Sequence, residues 1–164
     1  MSAETSPAAA ADHAGIRIFP PGVYLLAIGL GWLVHRFWPL RLFPLDWGLA
    51  RWAGGAGIVT AGALLALWAD LAFRRVGTTP IPFRPTTALA FAGPYRFTRN
   101  PMYLGMAIAQ AGAAVLVDSV WVLVLLPLSV WVIRRAVIDK EEAYLERKFG
   151  EPYREYKTKV RRWL

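Results

Sequence analysis

Cysteine is absent from this chain of 164 residues, which excludes a disulfide framework, a thiolate nucleophile and any cysteine-ligated metal. Charge is scarce as well: 18% of residues are charged against 56% hydrophobic, with eight Trp, far from the average of water-soluble domains. A basic start is missing too. The tail from Met1 to Gly15 is Ala-rich and polar, and no small-x-small cleavage site follows the first apolar run, so that run is expected to be a retained helix rather than a signal peptide. The tail, taken as residues 1–20, is expected to be disordered, and residues 21–164 to form a single domain, too short for two independent cores.

What is present comes in blocks. Gly22 to Trp38 is nearly uncharged, Trp52 to Ala69 is free of charge and closed by Asp70, and Met102 to Val117 and Val120 to Ile133 follow. Each run falls a little short of the roughly 20 residues that span a bilayer comfortably, though flanking residues extend most of them. Four such runs in so small a chain cannot all be buried against one another in water. The expectation is an all-α polytopic membrane protein, with about four spans near residues 22–38, 52–70, 101–117 and 120–138. A cytoplasmic, interfacial C-terminal helix should follow within residues 139–164, where Tyr, Lys and Arg are dense and Trp163 lies near the end.

Basic residues outnumber acidic ones by 19 to 11, a net charge of +8. Their distribution argues against nucleic acid. Arg74, Arg75, Arg84, Arg96 and Arg99 lie between the second and third runs, and ten more basic residues lie from Arg134 to Arg162, whereas the Asp118-Ser119 turn has none. That is the positive-inside pattern of a protein in a bacterial inner membrane with its long loop and C-terminus in the cytoplasm. Arg36, Arg41 and Arg51 fall in the supposedly outer first loop and run against it.

Small residues recur at helical spacing, Gly54, Gly57 and Ala61 in the second span and Gly105, Ala109 and Gly112 in the third, as in helices packed closely in lipid. Residues Gly77 to Gly93, rich in Pro and Thr, read as a shaped loop. Gly93-Pro94-Tyr95 turns Arg96 and Arg99 toward the membrane surface, Asn100 is a good N-cap, and Pro101 suits the first helical turn. Asp118-Ser119 is so short that the last two spans form an antiparallel hairpin. The final span should continue through Arg134-Arg135 to Phe149, with Gly150 as its C-cap and Pro152 barring continuation.

The hairpin returns Glu141, Glu142 and Tyr144 to the same membrane face as Arg96, Arg99, Asn100 and Tyr103. Arginines and carboxylates at a membrane edge are ordinarily snorkelling cations and surface ion pairs. Here Pro, Tyr and Gly stand in register with Arg99 opposite an acidic pair, which points to a site. Asp70 has two readings, an ion pair with Arg74 four residues on or a substrate orienter, and the first is preferred. Thr78 and Pro80 either shape the loop or line an entrance.

These motifs resemble the isoprenylcysteine carboxyl methyltransferase and phospholipid N-methyltransferase superfamily of integral membrane enzymes. The resemblance rests on Gly93-Pro94-Tyr95-Arg96, Arg99-Asn100-Pro101-Met102-Tyr103-Leu104-Gly105, Glu141-Glu142-x-x-Leu145, Phe149-Gly150-x-x-Tyr153-x-x-Tyr156 and Val160-x-Arg162-Trp163. It implies methyl transfer from S-adenosyl-L-methionine, with Arg99, Asn100, Tyr103, Gly105, Glu141 and Glu142 as cofactor contacts and no metal. Arg96, Tyr95 and Arg134 are candidates to orient the acceptor, a lipophilic or small molecule such as an isoprenylcysteine-like carboxylate or a lipid amine. Glu141 and Glu142 are expected to differ, one facing the cofactor and one supporting. Many members carry His where Asn100 stands; Asn can hydrogen-bond but does not titrate near neutral pH. Two alternatives use parts of the same pattern: an NADPH-dependent sterol-type reductase, whose Arg-x-Pro-x-Tyr-x-Gly motif is similar, and a small transporter.

Overall fold

The computed structural model describes residues 14–16, 18–44, 47–77 and 87–164. Among them all regular secondary structure is helical, with no strand. The expectations for most of the N-terminal tail, Arg17, Thr78, Pro80 and Arg84 fall outside the described residues.

Helix α1 (Pro20–Phe37) starts on two prolines, which fit a first turn whose N–H groups have no intrahelical acceptor. Helix α2 (Gly48–Arg75) runs past Asp70, where the sequence placed the end of the second span. Asp70 does not stop it because Arg74 Nε donates to its Oδ2 at 2.6 Å, one turn on. After α2 a 3₁₀ turn (Gly93–Arg96) leads into α3 (Pro101–Leu116), followed by α4 (Val120–Ile133). Ser119 caps α4 by accepting from Val122 N–H, and Asp118 takes the left-handed φ of 53° that makes so tight a reversal possible. The chain stays helical after α4, but residues Arg134–Ile138 form a π-turn before α5 (Asp139–Phe149). Gly150, at φ 60°, breaks the direction, and α6 (Glu151–Lys159) follows.

The four apolar helices pack as an up-and-down bundle. Tyr24, early in α1, donates its hydroxyl to the Tyr103 carbonyl at 3.2 Å, while Gly31 lies against Val122 at the other end. The α2–α3 contact is antiparallel and very close. A Cβ on Gly62 would stand 2.5 Å from the Gly105 carbonyl oxygen, and one on Gly112 would stand 2.6 Å from Val59 N. The third-span face of Gly105, Ala109 and Gly112 is therefore as the sequence indicates. On α2 the contact face is Gly55, Val59, Gly62 and Ala66, whereas Gly54 and Gly57 point into open space. Neighbouring glycines offered two equally small faces, and only the partner helix distinguished them.

Two helices are long and apolar enough to cross a bilayer: Gly48–Arg75, and the continuous helix that starts at Val120. Only 17% and 28% of their apolar windows are buried within the protein, so their hydrophobic surface faces outward, as a lipid environment requires and water does not tolerate. Helix α3, with 16 residues, is apolar but shorter.

Candidate active site

The π-turn and the Gly93–Arg96 turn meet at the end of the bundle where α3 begins. Arg134 to Ile138 carry one residue more than an α-turn would hold, which shifts the phase of everything after them. Glu141 and Glu142 turn together with α5, and their offset of about 100° around that helix gives them separate environments.

Glu142 is buried and acts as a hub. Arg99 Nη2 approaches its Oε1 at 3.2 Å, and Arg162 holds it with two donors, Nε to Oε1 at 3.1 Å and Nη2 to Oε2 at 2.7 Å. Arg162 also reaches Asp139 at 3.0 Å. The hydrogen bond to Glu142 raises the guanidinium's pKa above its ordinary value, with partial burial opposing and Asp139 adding to the rise. Charge-assisted, bidentate contacts of this kind are the strong ones.

Glu141 accepts a hydrogen bond from the Tyr103 hydroxyl, at 2.8 Å to Oε1. Among the described residues no arginine or lysine pairs with it. The two carboxylates are thus not equivalent: Glu142 is saturated by cations, and Glu141 keeps acceptor capacity. Tyr95 lies alongside, buried and edge-on to Phe73 at 4.9 Å. Burial, then the charge of Glu141, with Tyr156 and Asp70 adding, pushes its hydroxyl well above the usual tyrosine range. Tyr153 and Tyr156 are likewise held high, chiefly by burial.

The C-terminal segment closes the cluster instead of lying free beside it. The Arg99 N–H donates to the Arg161 carbonyl at 2.9 Å, and Thr98 Oγ1 and Asn100 Nδ2 donate to the Arg162 carbonyl at 3.0 and 2.9 Å. Tyr156 donates its hydroxyl to the Tyr95 carbonyl at 2.7 Å, and Trp163 packs against the core that contains Tyr103 and Ile138. Asn100 stands at the N-cap position of α3 but makes no side-chain cap; its amide is drawn to the C-terminal backbone. Arg99 Nε is buried without any hydrogen-bond partner.

Of the residues singled out from sequence, Tyr103, Glu141, Glu142, Arg99 and Tyr95 converge here. Asn100 converges as a clamp on the C-terminus. Gly105 sits one turn into α3 with its bare face pressed on α2. Arg96 and Arg134 are exposed and form no ion pair among the described residues. Sequence reasoning did not single out Tyr24, and it did not name Asp139 or Arg162 as site residues. Arg162 had a signal, since it stands within the C-terminal motif. Tyr24 had none, because its contact joins positions 79 apart.

A family model described as phospholipid methyltransferase matches residues 50–152, well over half of the chain. The chain belongs to that family. The matched region holds Tyr95, Arg99, Tyr103, Glu141 and Glu142, and stops short of Arg162. An uncharacterized protein of Haemophilus influenzae (strain ATCC 51907 / DSM 11121 / KW20 / Rd) is 64% identical over 33 residues, 20% of this chain and 52% of that protein. The match thus spans about half of that relative's length. No solved structure matches the chain. By its description, that family consists of methyltransferases.

Proposed function

We propose that the chain uses S-adenosyl-L-methionine to methylate a lipophilic acceptor at the end of the bundle marked by Glu141, with all four apolar helices crossing the membrane and this end facing the cytoplasm. The observation that carries the reading is a pair of unspent groups in one cluster. Glu141 is a carboxylate without a cation, and Arg99 Nε is a buried donor without an acceptor. Buried polar groups are ordinarily satisfied. A ligand bearing both an ammonium and a carboxylate, as a methionyl group does, would satisfy the two together.

When bound, the cofactor supplies a sulfonium methyl: the sulfur–carbon bond breaks, the acceptor's lone pair forms the new bond, and sulfur keeps the electron pair. The protein's part is positioning and exclusion of water. Glu141 would hold the cationic or hydroxyl groups of the cofactor, with Tyr103 fixing its rotamer. Glu142 and Arg162 would hold Arg99 in place, and Tyr95 would wall the site. Among the described residues no imidazole joins the cluster, and we infer an acceptor that arrives as a ready nucleophile, a carboxylate or an unprotonated amine. The outward-facing apolar surface gives a lipid-tailed acceptor a lateral approach.

The test is calorimetric titration of the detergent-purified full chain with S-adenosylmethionine, S-adenosylhomocysteine and NADPH. Saturable binding of both adenosyl ligands and none of NADPH is expected; NADPH binding alone would overturn the reading in favour of a reductase. Transfer of labelled methyl to a phospholipid amine, compared with a prenylcysteine carboxylate, then identifies the acceptor.

A further inference from the structure

Helix α3 alone separates Glu141's end of the bundle from the other end by about 24 Å, at 1.5 Å per residue. At that far end lies a cavity of about 200 Å³, whose lining includes His35, Arg41, Trp47, Gly48, Arg51 and Asp118. It has room for a phosphate group and several waters, each taking about 30 Å³.

Among the described lining residues, charged donors outnumber charged acceptors. Asp118 is the one acid among these residues, and its Oδ1 already accepts the backbone N–H groups of Leu42 at 2.9 Å and Phe43 at 3.2 Å. Arg51 gives Nη1 to the Leu116 carbonyl at 2.7 Å and lies over the Trp52 ring, yet pairs with no carboxylate among the described residues. Arg41 makes no ion pair or hydrogen bond there either. His35 Nδ1 is buried with no partner. Helix α2 begins at Gly48 in the cavity wall with no cap from the Trp47 side chain, and the N–H groups of its first turn have no intrahelical acceptor. Two guanidiniums without a carboxylate partner and an uncapped helix start form a donor set with no anion among the described residues, and the partnerless His35 lies beside them.

We propose that this cavity binds a phosphate group, supplied by the headgroup of an anionic phospholipid. Guanidinium groups match phosphate oxygens in geometry as well as charge. The rim argues for a lipid source: Trp38, Leu40, Trp47, Leu49 and Trp52 are all half or more exposed around it, the aromatic and apolar girdle of a membrane–water interface. A headgroup in the cavity would lay its acyl chains along this girdle. Such a ligand also accounts for Arg41 and Arg51, which otherwise oppose the positive-inside pattern. The proposal is independent of methyl transfer, and no bond is made or broken.

The test uses the full chain in a neutral detergent, titrated with short-chain phosphatidylglycerol, short-chain phosphatidylcholine and inorganic phosphate, with tryptophan fluorescence as the readout. Three proteins are compared: wild type, Arg41→Gln, and Arg74→Gln as a control at the opposite end. Arg41 is exposed and makes no hydrogen bond or ion pair among the described residues, so its replacement is expected to leave stability unchanged. Saturable phosphatidylglycerol binding is expected, weakened about tenfold by R41Q, the loss of one charge-assisted contact, and unaffected by R74Q. Displacement by inorganic phosphate, with the same sensitivity to R41Q, would support the phosphate site and make the free anion its ligand; failure of phosphate to displace the lipid would support the whole headgroup. Equal phosphatidylglycerol binding by wild type and R41Q, equal binding of the two lipids, or no saturable binding would overturn the proposal.

Discussion

Glu141 and Glu142 are adjacent and chemically identical, yet they occupy different electrostatic worlds. Glu142 lies between Arg99 and Arg162 at contact distance, so replacing it by Gln leaves two guanidiniums short of their counter-charge. Breaking a buried pair costs about 3–5 kcal/mol, and with Arg162 partly exposed the expected loss is about 2–3 kcal/mol. Denaturant titration in micelles reads this loss, and an unchanged midpoint would mean that the hub carries no stability. Glu141→Gln keeps the Tyr103 hydroxyl as a donor and removes only the unpaired charge. Stability should hold, while affinity for S-adenosylmethionine falls by about tenfold or more, the scale of one charge-assisted contact. If calorimetry gave both variants the same affinity as wild type, neither glutamate would touch the cofactor.

At the scale of elements, two helix features decide where the site sits. The first is the α2–α3 seam. Gly62→Ala places a methyl 2.5 Å from a backbone oxygen, an overpacking expected to cost about 1–3 kcal/mol. Gly57→Ala meets nothing and should stabilise by up to about 1 kcal/mol through helix propensity. Thermal midpoints that moved the same way in both variants would refute this assignment of faces. The second feature is the π-turn at Arg134–Ile138. Because it holds one residue more than an α-turn, deleting Ala136 lets the segment relax to a regular helix while the glutamates keep their phase. Inserting one alanine there turns them by about 100°. Cofactor binding should survive the deletion and vanish with the insertion, and the opposite pattern would show that the turn does not set the register of Glu141 and Glu142.

Over the whole molecule, the C-terminus completes the site. Residues 160–164 have no helix to belong to, yet their carbonyls accept from Thr98, Arg99 and Asn100 and their side chains reach Glu142 and the Tyr103 core. Truncation after Lys159 should therefore leave the bundle helical by circular dichroism. It should also accelerate amide exchange across residues 98–103 and abolish cofactor binding. Slow exchange there in the truncated chain would remove the C-terminus from the site. The apolar helices face outward around this polar end, so the same architecture that needs a bilayer also leaves the site open to what the bilayer dissolves.

Much of this protein was legible in its residues because the signals are local. Long uncharged runs define the apolar helices, Asp118-Ser119 is too short for anything but a hairpin, Pro101 and Gly150 mark a start and a stop, and Asp70 pairs with Arg74 within one turn. Within the Arg99–Gly105 and Glu141–Glu142 motifs, the structure brings together Arg99, Asn100, Tyr103, Glu141 and Glu142, while Gly105 packs on α2. Tertiary structure alone decided what those residues do to one another. A phase shift in the π-turn, invisible to a uniform 100° periodicity, set where the glutamate pair faces, and packing left one held by two arginines and the other by the Tyr103 hydroxyl. Chain reversal brought Arg162 back 62 positions to Asn100 and made that asparagine a clamp. Contacts over such separations depend on how helices pack, and packing is a property of pairs of surfaces that no single stretch of sequence contains.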